Sequence, residues 1–185
     1  MINWKEIWEI HCPFFKNGMA IVPLNENLSF KLAAGGGFGD LSHPTTNLVF
    51  EYLKKNVKDK IVVDIGSGSG ILSIAAKLSG AKSVYAFEID PSAIGHAKEN
   101  FRLNNLEISM NQIPEKVDIV LINMISSEQK EALKSLSFIK NHPHTLFASG
   151  LLTEELDSYT QFMAGYKQIS KTSKEGWLGI ELSWS

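Results

Sequence analysis

The chain has 185 residues, 44% hydrophobic and 21% charged, enough for one domain with a buried core and no covalent staples. Lys and Arg total 18 against 20 Asp and Glu, and a net charge of −2 argues against a general grip on DNA or RNA. One cysteine, Cys12, excludes an internal disulfide and argues against a cysteine-based zinc centre, so no metal site is expected. No stretch is long and apolar enough to span a bilayer, and the opening MINWKEIWEIHCPFF carries acidic residues without a clean apolar segment. The expected setting is the cytosol.

Trp4, Ile7 and Trp8 fall on one face of a first helix, expected to pack on the domain. A glycine-rich loop, Gly35 to Ser42, precedes a helix opened by Pro44 and continuing through Val49, Tyr52 and Leu53. Ile61 to Ile65 is a β-branched run ending in glycines, which reads as a buried strand. Gly70 to Leu78 reads as a buried helix closed at Gly80, and Ser83 to Glu88 as a second strand. Asp90-Pro91 opens the next helix as N-cap and first residue, with Ala93, Ala97 and Phe101 on one face.

Glu107 to Met110 is a weak strand and Asp118 to Asn123 a strong one. Ser126 and Gln129 suggest a capping box for a helix carrying Leu133, Leu136 and Ile139. Thr145 to Ser149 is a strand; Thr153 should cap a helix with Leu156, Tyr159 and Met163, stopped by Gly165. Tyr166 to Lys171 and Trp177 to Trp184, joined by a turn at Lys174-Glu175-Gly176, look like an antiparallel pair at a sheet edge. The alternation predicts a three-layer α/β domain with a mostly parallel sheet, whose ligands sit beyond the carboxyl ends of the strands. Residues 1–43 are expected to form an N-terminal helix and glycine-rich loop, and 44–185 the main domain.

Three segments fall at those strand ends. Gly66-Ser67-Gly68-Ser69-Gly70 permits a tight turn and close backbone approach to a ligand at a helix N-terminus. A dinucleotide fingerprint would place its third glycine where Ile71 stands, which disfavours a nicotinamide-dependent oxidoreductase. Glu88 follows the glycines at the spacing of a ribose-binding carboxylate, while Asp90 suits a cap. Asp64 precedes the turn and either orients it or bonds a ligand's amino group. Asn123 falls where the sheet meets the pocket and could orient an acceptor or hold an ammonium group; otherwise it bonds its own backbone.

Together, VVDIGSGSGILSIAAKLSGAKSVYAFEIDPSAIGHAKENFRLNN, GGGFGDLSHPTT, NWKEIW, GMAIVP, DIVLINMI, FASGLL and EGWLGIEL resemble the class I S-adenosylmethionine-dependent methyltransferases, and among them the ribosomal protein L-eleven methyltransferases, PrmA. The resemblance runs from about Trp4 to the end. It implies a Rossmann-like three-layer sandwich with a seven-stranded, mostly parallel sheet and an antiparallel C-terminal hairpin. It implies S-adenosyl-L-methionine as cofactor, with Gly66 and Gly68 lining it together with Asp64, Ser67 and Gly70 of the same turn. Thr45 or Thr46 would sit at its methionine end, Glu88 on the ribose, Asn111 or Gln112 near the adenine, and Asn123 beside the transferring methyl. The family's loop usually reads FGTGxHPTT; here Asp40 and Leu41 stand in place of Thr and Gly. The family's sizeable N-terminal recognition domain is not in the sequence, so poor methylation of the isolated ribosomal protein is expected.

The implied activity is methyl transfer to an amine, a protein lysine or amino terminus. The alternatives are a small-molecule methyltransferase and a non-catalytic interaction protein that kept the fold. Asn123-Met124-Ile125-Ser126 lacks the aromatic of an NPPY-like motif that would stack a flipped base, so base methylation is disfavoured. His43, beside a helix start, reads as structural. The loop Gly35 to Ser42 is expected to be a mobile lid, with Phe38 touching the pocket.

Overall fold

The structure, a computed structural model, describes residues 2–185. Helix α1 (Trp4–His11) leads into an antiparallel three-stranded sheet of β1 (Phe15–Lys16), β2 (Met19–Pro23) and β3 (Ser29–Ala33). Then follow α2 (Pro44–Asn56), β4 (Ile61–Ile65), α3 (Ile71–Leu78), β5 (Ser83–Phe87), α4 (Pro91–Leu103), β6 (Ser109–Met110) and β7 (Ile119–Asn123). The chain continues through α5 (Ser126–Ser135), β8 (His144–Leu152), α6 (Leu156–Phe162), β9 (Lys167–Lys174) and β10 (Trp177–Trp184). The main sheet has seven strands in the order β6-β5-β4-β7-β8-β10-β9; the first five run parallel, and β9 and β10 form the antiparallel hairpin.

Period-two alternation gives each face its own core. Val62, Val84, Ala86, Ile119 and Leu121 point to the face covered by α2, α3 and α4, where Val49, Leu53, Ile74 and Phe101 meet them. Val63, Ile65, Val120, Ile122 and Ile180 point to the opposite face, beneath Leu133, Ile139, Tyr159 and Met163. The order reverses about β4, which lies between β5 and β7, and the carboxyl ends of these strands open into a cleft of about 1050 Å³.

Two local expectations are corrected. Ser126 and Gln129 do not form a capping box: Ile125 is the N-cap with no side-chain bond. Gln129 instead spans the interior, donating to the carbonyls of Met124 and Ser149 and accepting from the Tyr159 hydroxyl, so tertiary partners outcompete the local one. Thr153 opens a 3₁₀ turn, and α6 begins only at Leu156. Residues 15–33, for which the sequence offered no element, form a sheet that α4 anchors: Asn100 and Asn104 accept from the amides of Ala33 and Lys31.

The loop expected to be a mobile lid is anchored in this structure. Its backbone is fastened almost residue by residue: Trp8 Nε1 donates to Gly35 O, Ser69 N and Oγ to Phe38 O and Gly39 O, and Asn47 Nδ2 to Leu41 O. The large apolar side chain of Phe38 stands out, 56% exposed at the cleft. Leu41, where the resembled loop carries glycine, sits at φ 66°, a left-handed conformation unfavourable to a side chain. Its side chain is nevertheless buried.

Candidate functional site

The turn after β4 is the floor of the cleft. Gly66, Gly68 and Gly70 all take positive φ, and a side chain at Gly68 would drive into the Phe38 carbonyl. Gly70 lies outside the cleft; it caps α3, and its Cα packs on the Phe101 ring. Gly66 N and Ser67 N donate to Phe87 O, which ties the turn to the end of β5.

One residue further, Glu88 bridges two elements. Its Oε2 accepts from Gly68 N at 3.0 Å, and its Oε1 from Ile89 N and Asp90 N. Asn111, after β6, grips the Glu88 backbone from the other side, accepting from its N–H and donating to its carbonyl. Ile89 is 95% exposed at the cleft rim, an apolar surface beside these polar groups. Asp90 caps α4 as expected, accepting from Ser92 N and Ala93 N.

Among the described residues, three buried side-chain polar atoms have no partner: Asp64 Oδ1, Ser67 Oγ and Asn123 Oδ1. All belong to the carboxyl end of β4, its turn, or the end of β7. Asn123 donates from Nδ2 to Thr46 Oγ1 at 3.3 Å, which leaves its carbonyl free at the cleft. Asp64 is fully buried and bonded by the Ser73 hydroxyl. Burial pushes its carboxyl up to about 6, the Ser73 bond opposes this, and the charge of Glu88 adds to it. Unpaired buried polar atoms are costly, and their clustering at one sheet end marks a place built for a ligand. A nucleoside bearing a cationic amino-acid tail fits the donor set: a carboxylate for hydroxyls, unpaired oxygens for N–H groups, and a turn too close for side chains.

Of the predicted residues, Thr45, Gly66, Gly68, Glu88, Asn111 and Asn123 line the cleft. Thr46, Asp64, Ser67 and Gly70 lie behind that wall, Thr46 and Asp64 fully buried. His43 caps α2: its Nδ1 is 2.8 Å from Thr45 Oγ1 and accepts from Thr45 N. Its ring also stands edge-on to Trp177 at 4.9 Å and to Phe38 at 5.9 Å, making an aromatic wall on the cleft. Trp177 was missed by sequence reading, as were Met124, Ile125, Glu128 and Glu131; only their place after β7 and at the start of β10 could have flagged them. No Lys or Arg lines the cleft among the described residues, while Glu88, Asp90, Glu128 and Glu131 do. That balance favours a cationic visitor.

A family model described as "Ribosomal protein L11 methyltransferase (PrmA)" matches residues 10–184. A ribosomal protein L11 methyltransferase of Staphylococcus aureus is 32% identical over 197 residues, covering 95% of this chain and 63% of the relative. The chain thus spans less than two thirds of the length of the curated relatives it matches. The crystal structure of a ribosomal protein L11 methylase from Lactobacillus delbrueckii subsp. bulgaricus superposes with a TM-score of 0.73 at 25% identity, covering 89% of this chain and 98% of that one. A tRNA (uracil-54, C5)-methyltransferase of Pyrococcus abyssi in complex with S-adenosyl-L-homocysteine shares the fold, with a TM-score of 0.64, 16% identity, and coverage of 91% and 45%.

Proposed function

The chain belongs to the ribosomal protein L11 methyltransferase (PrmA) family, and from that premise we propose that it moves a methyl group from S-adenosyl-L-methionine to an amine nitrogen of a protein, the ribosomal protein L11 of its relatives being the first acceptor to test. The observation that carries the reading is the glycine turn bonded to Glu88 at the floor of the cleft, with unpaired polar atoms at Asn123 Oδ1 on its wall and at Ser67 Oγ behind it. When bound, the cofactor supplies an electrophilic methyl on a sulfonium, so the protein's tasks are binding, orientation and exclusion of water.

In this reading Gly66, Gly68 and Ser67 hold the donor's backbone, Glu88 and Asn111 its nucleoside, and Thr45 its amino-acid end. Asp64 and Thr46 act from behind, Asp64 through the charge it turns toward a cationic ligand and Thr46 by orienting Asn123. Gly70 packs the turn. Asn123 Oδ1 accepts an N–H of the acceptor amine and aims its lone pair. A lysine must lose its proton first, at a cost of about 4–5 kcal/mol at pH 7, and a dry apolar wall lowers that cost by disfavouring the charged form. Phe38, His43 and Trp177 provide such a wall, while Glu128 and Glu131 draw the cationic acceptor toward it. We read residues 1–43 as an addition packed on a catalytic domain of 44–185, and the cytosol as its place of work. Among the described residues no helix is long and apolar enough to cross a membrane.

Calorimetry tests the cofactor: S-adenosylmethionine and S-adenosylhomocysteine bind and NAD does not. Mass spectrometry of L11 incubated with the chain and the methyl donor tests the acceptor: sparse methyl increments on amine-bearing residues are expected, because the chain spans 63% of the length of its L11 methyltransferase relatives. Binding of NAD alone would overturn the reading; donor binding without methylation of any protein amine would leave an interaction scaffold.

A further inference from the structure

The glycine strap, residues 35–39, forms one wall of the cleft through Gly36 and Phe38, and Gly37 between them lies directly on the backbone of Gly68. Something must hold so flexible a stretch in place, because ordering glycine costs about 1–2 kcal/mol of backbone entropy per residue. Trp8 and Ser69 hold its ends, and the group at its centre is His96, from the second turn of α4, 6% exposed. Its ring lies against the Gly35 Cα, where a Cβ would collide, and Trp8 stands edge-on to it at 5.6 Å.

The two ring nitrogens have fixed roles. Nδ1 is 3.1 Å from the Gly37 amide, which can only donate, so Nδ1 carries the lone pair. Nε2 is 2.8 Å from the Ala33 carbonyl, which can only accept, so Nε2 carries the hydrogen. One turn along, Asn100 accepts from Ala33 N and donates to Ser69 O, so the same helix face holds both the strap and the cofactor turn.

We propose that His96 is a positioning residue for the cofactor cleft: its unprotonated Nδ1 pins Gly37, and with it the strap, against the Gly66–Gly70 turn, and a proton on that nitrogen releases the strap. In the protonated ring an N–H would face the N–H of Gly37, turning a hydrogen bond into a repulsion. Burial pushes the imidazole below its usual range, against the Ala33 bond and the nearby carboxylate of Glu99 on its own helix. Trp8 of α1, Ala33 of β3 and the strap glycines bring the ring no charge. Gly37 is thus pinned at neutral pH and loosened as pH falls below the usual imidazole range.

The inference rests on the methyl-donor reading only where ligand affinity is the readout. Two measurements keep them apart. In the ligand-free protein, the hydrogen-exchange protection of the Gly37 amide, corrected for intrinsic pH dependence, should fall about tenfold or more as the His96 imidazole titrates in NMR. Protection at Gly37 indifferent to that titration would overturn the inference, whatever the ligand. S-Adenosylhomocysteine affinity is then followed from pH 8 to 5.5 in an Asp64→Asn background, which removes the other buried group titrating nearby. With His96 present, affinity should fall measurably, by up to a few-fold, toward acid, because an imidazole held below its usual range is only partly protonated at pH 5.5. With His96→Gln added, binding should be several-fold weaker at pH 8 and flat with pH. Equal slopes with and without His96 would overturn the inference. Absence of binding at every pH would overturn the cofactor reading and leave the Gly37 protection to decide this one.

Discussion

The two ends of the seven-stranded sheet treat their polar groups in opposite ways. At the amino ends of the parallel strands, among the described residues, the buried side-chain polar atoms all have partners. Asp118 accepts from Ile61 N and pairs with Lys116, and Trp184 Nε1 donates to Lys140 O. His144 donates from Nδ1 to His142 O while its Nε2 accepts from the Tyr166 hydroxyl. At the carboxyl ends, Asp64, Ser67 and Asn123 each keep an oxygen unpaired. The same strands therefore carry a closed end that holds the fold and an open end that withholds its bonds for a ligand.

The contrast breaks most completely at Gly68. Gly68→Val places a side chain against the Phe38 carbonyl at positive φ, and S-adenosylhomocysteine binding should fall beyond detection by calorimetry while the far-ultraviolet circular dichroism stays native. Normal binding would reduce the turn to a connector. Glu88→Ala should weaken binding by about 1.5–3 kcal/mol, the range for hydrogen bonds to a charged group. An unchanged dissociation constant would remove Glu88 from the site.

Asp64→Asn sharpens the comparison through pH. Its carboxyl, raised to about 6 in the fold, contributes stability that is full below about pH 4 and lost as pH rises through 6. The asparagine variant should therefore be more stable than the parent at pH 8, by no more than about 3 kcal/mol in urea melts, and bind the cationic donor less well. His144 at the closed end has the opposite sign: burial lowers its pKa, so its contribution is present above about 6.5 and is lost as pH falls. Tyr166→Phe should produce the smallest effect, about 1 kcal/mol of stability from the lost bond to His144, with donor affinity unchanged. A change in affinity there would show that the two ends are coupled.

What could be read in the sequence was what local chemistry decides. Ile61 to Ile65, the Asp90-Pro91 start and the glycines before Ile71 are short patterns with one physical solution each, and they placed β4, α4 and the turn. Glu88 followed from spacing. Gln129 was misread because its partners, Met124 O, Ser149 O and the Tyr159 hydroxyl, come from three separate elements. Trp177 was invisible as a cleft residue because only the pairing of β10 with β8 carries it there. The sheet of β1 to β3 went unseen because its strands are short, two to five residues, and lean on α4 rather than on a strong pattern of their own.

The position of β10 sets an order in time. It pairs along its length with both β8 and β9, yet β9 is synthesised first. Until β10 arrives, β9 has no neighbour in the sheet to join, and its contacts cannot form by local zipping alone. Every residue of β9 is exposed, and Lys167, Lys171 and Lys174 punctuate it. Those charges suit a strand that must wait without pairing to the wrong chain. Trp177 arrives on the same late strand, so a ribosome-bound chain would assemble its hydrophobic layers before it could shape a cleft able to retain a ligand.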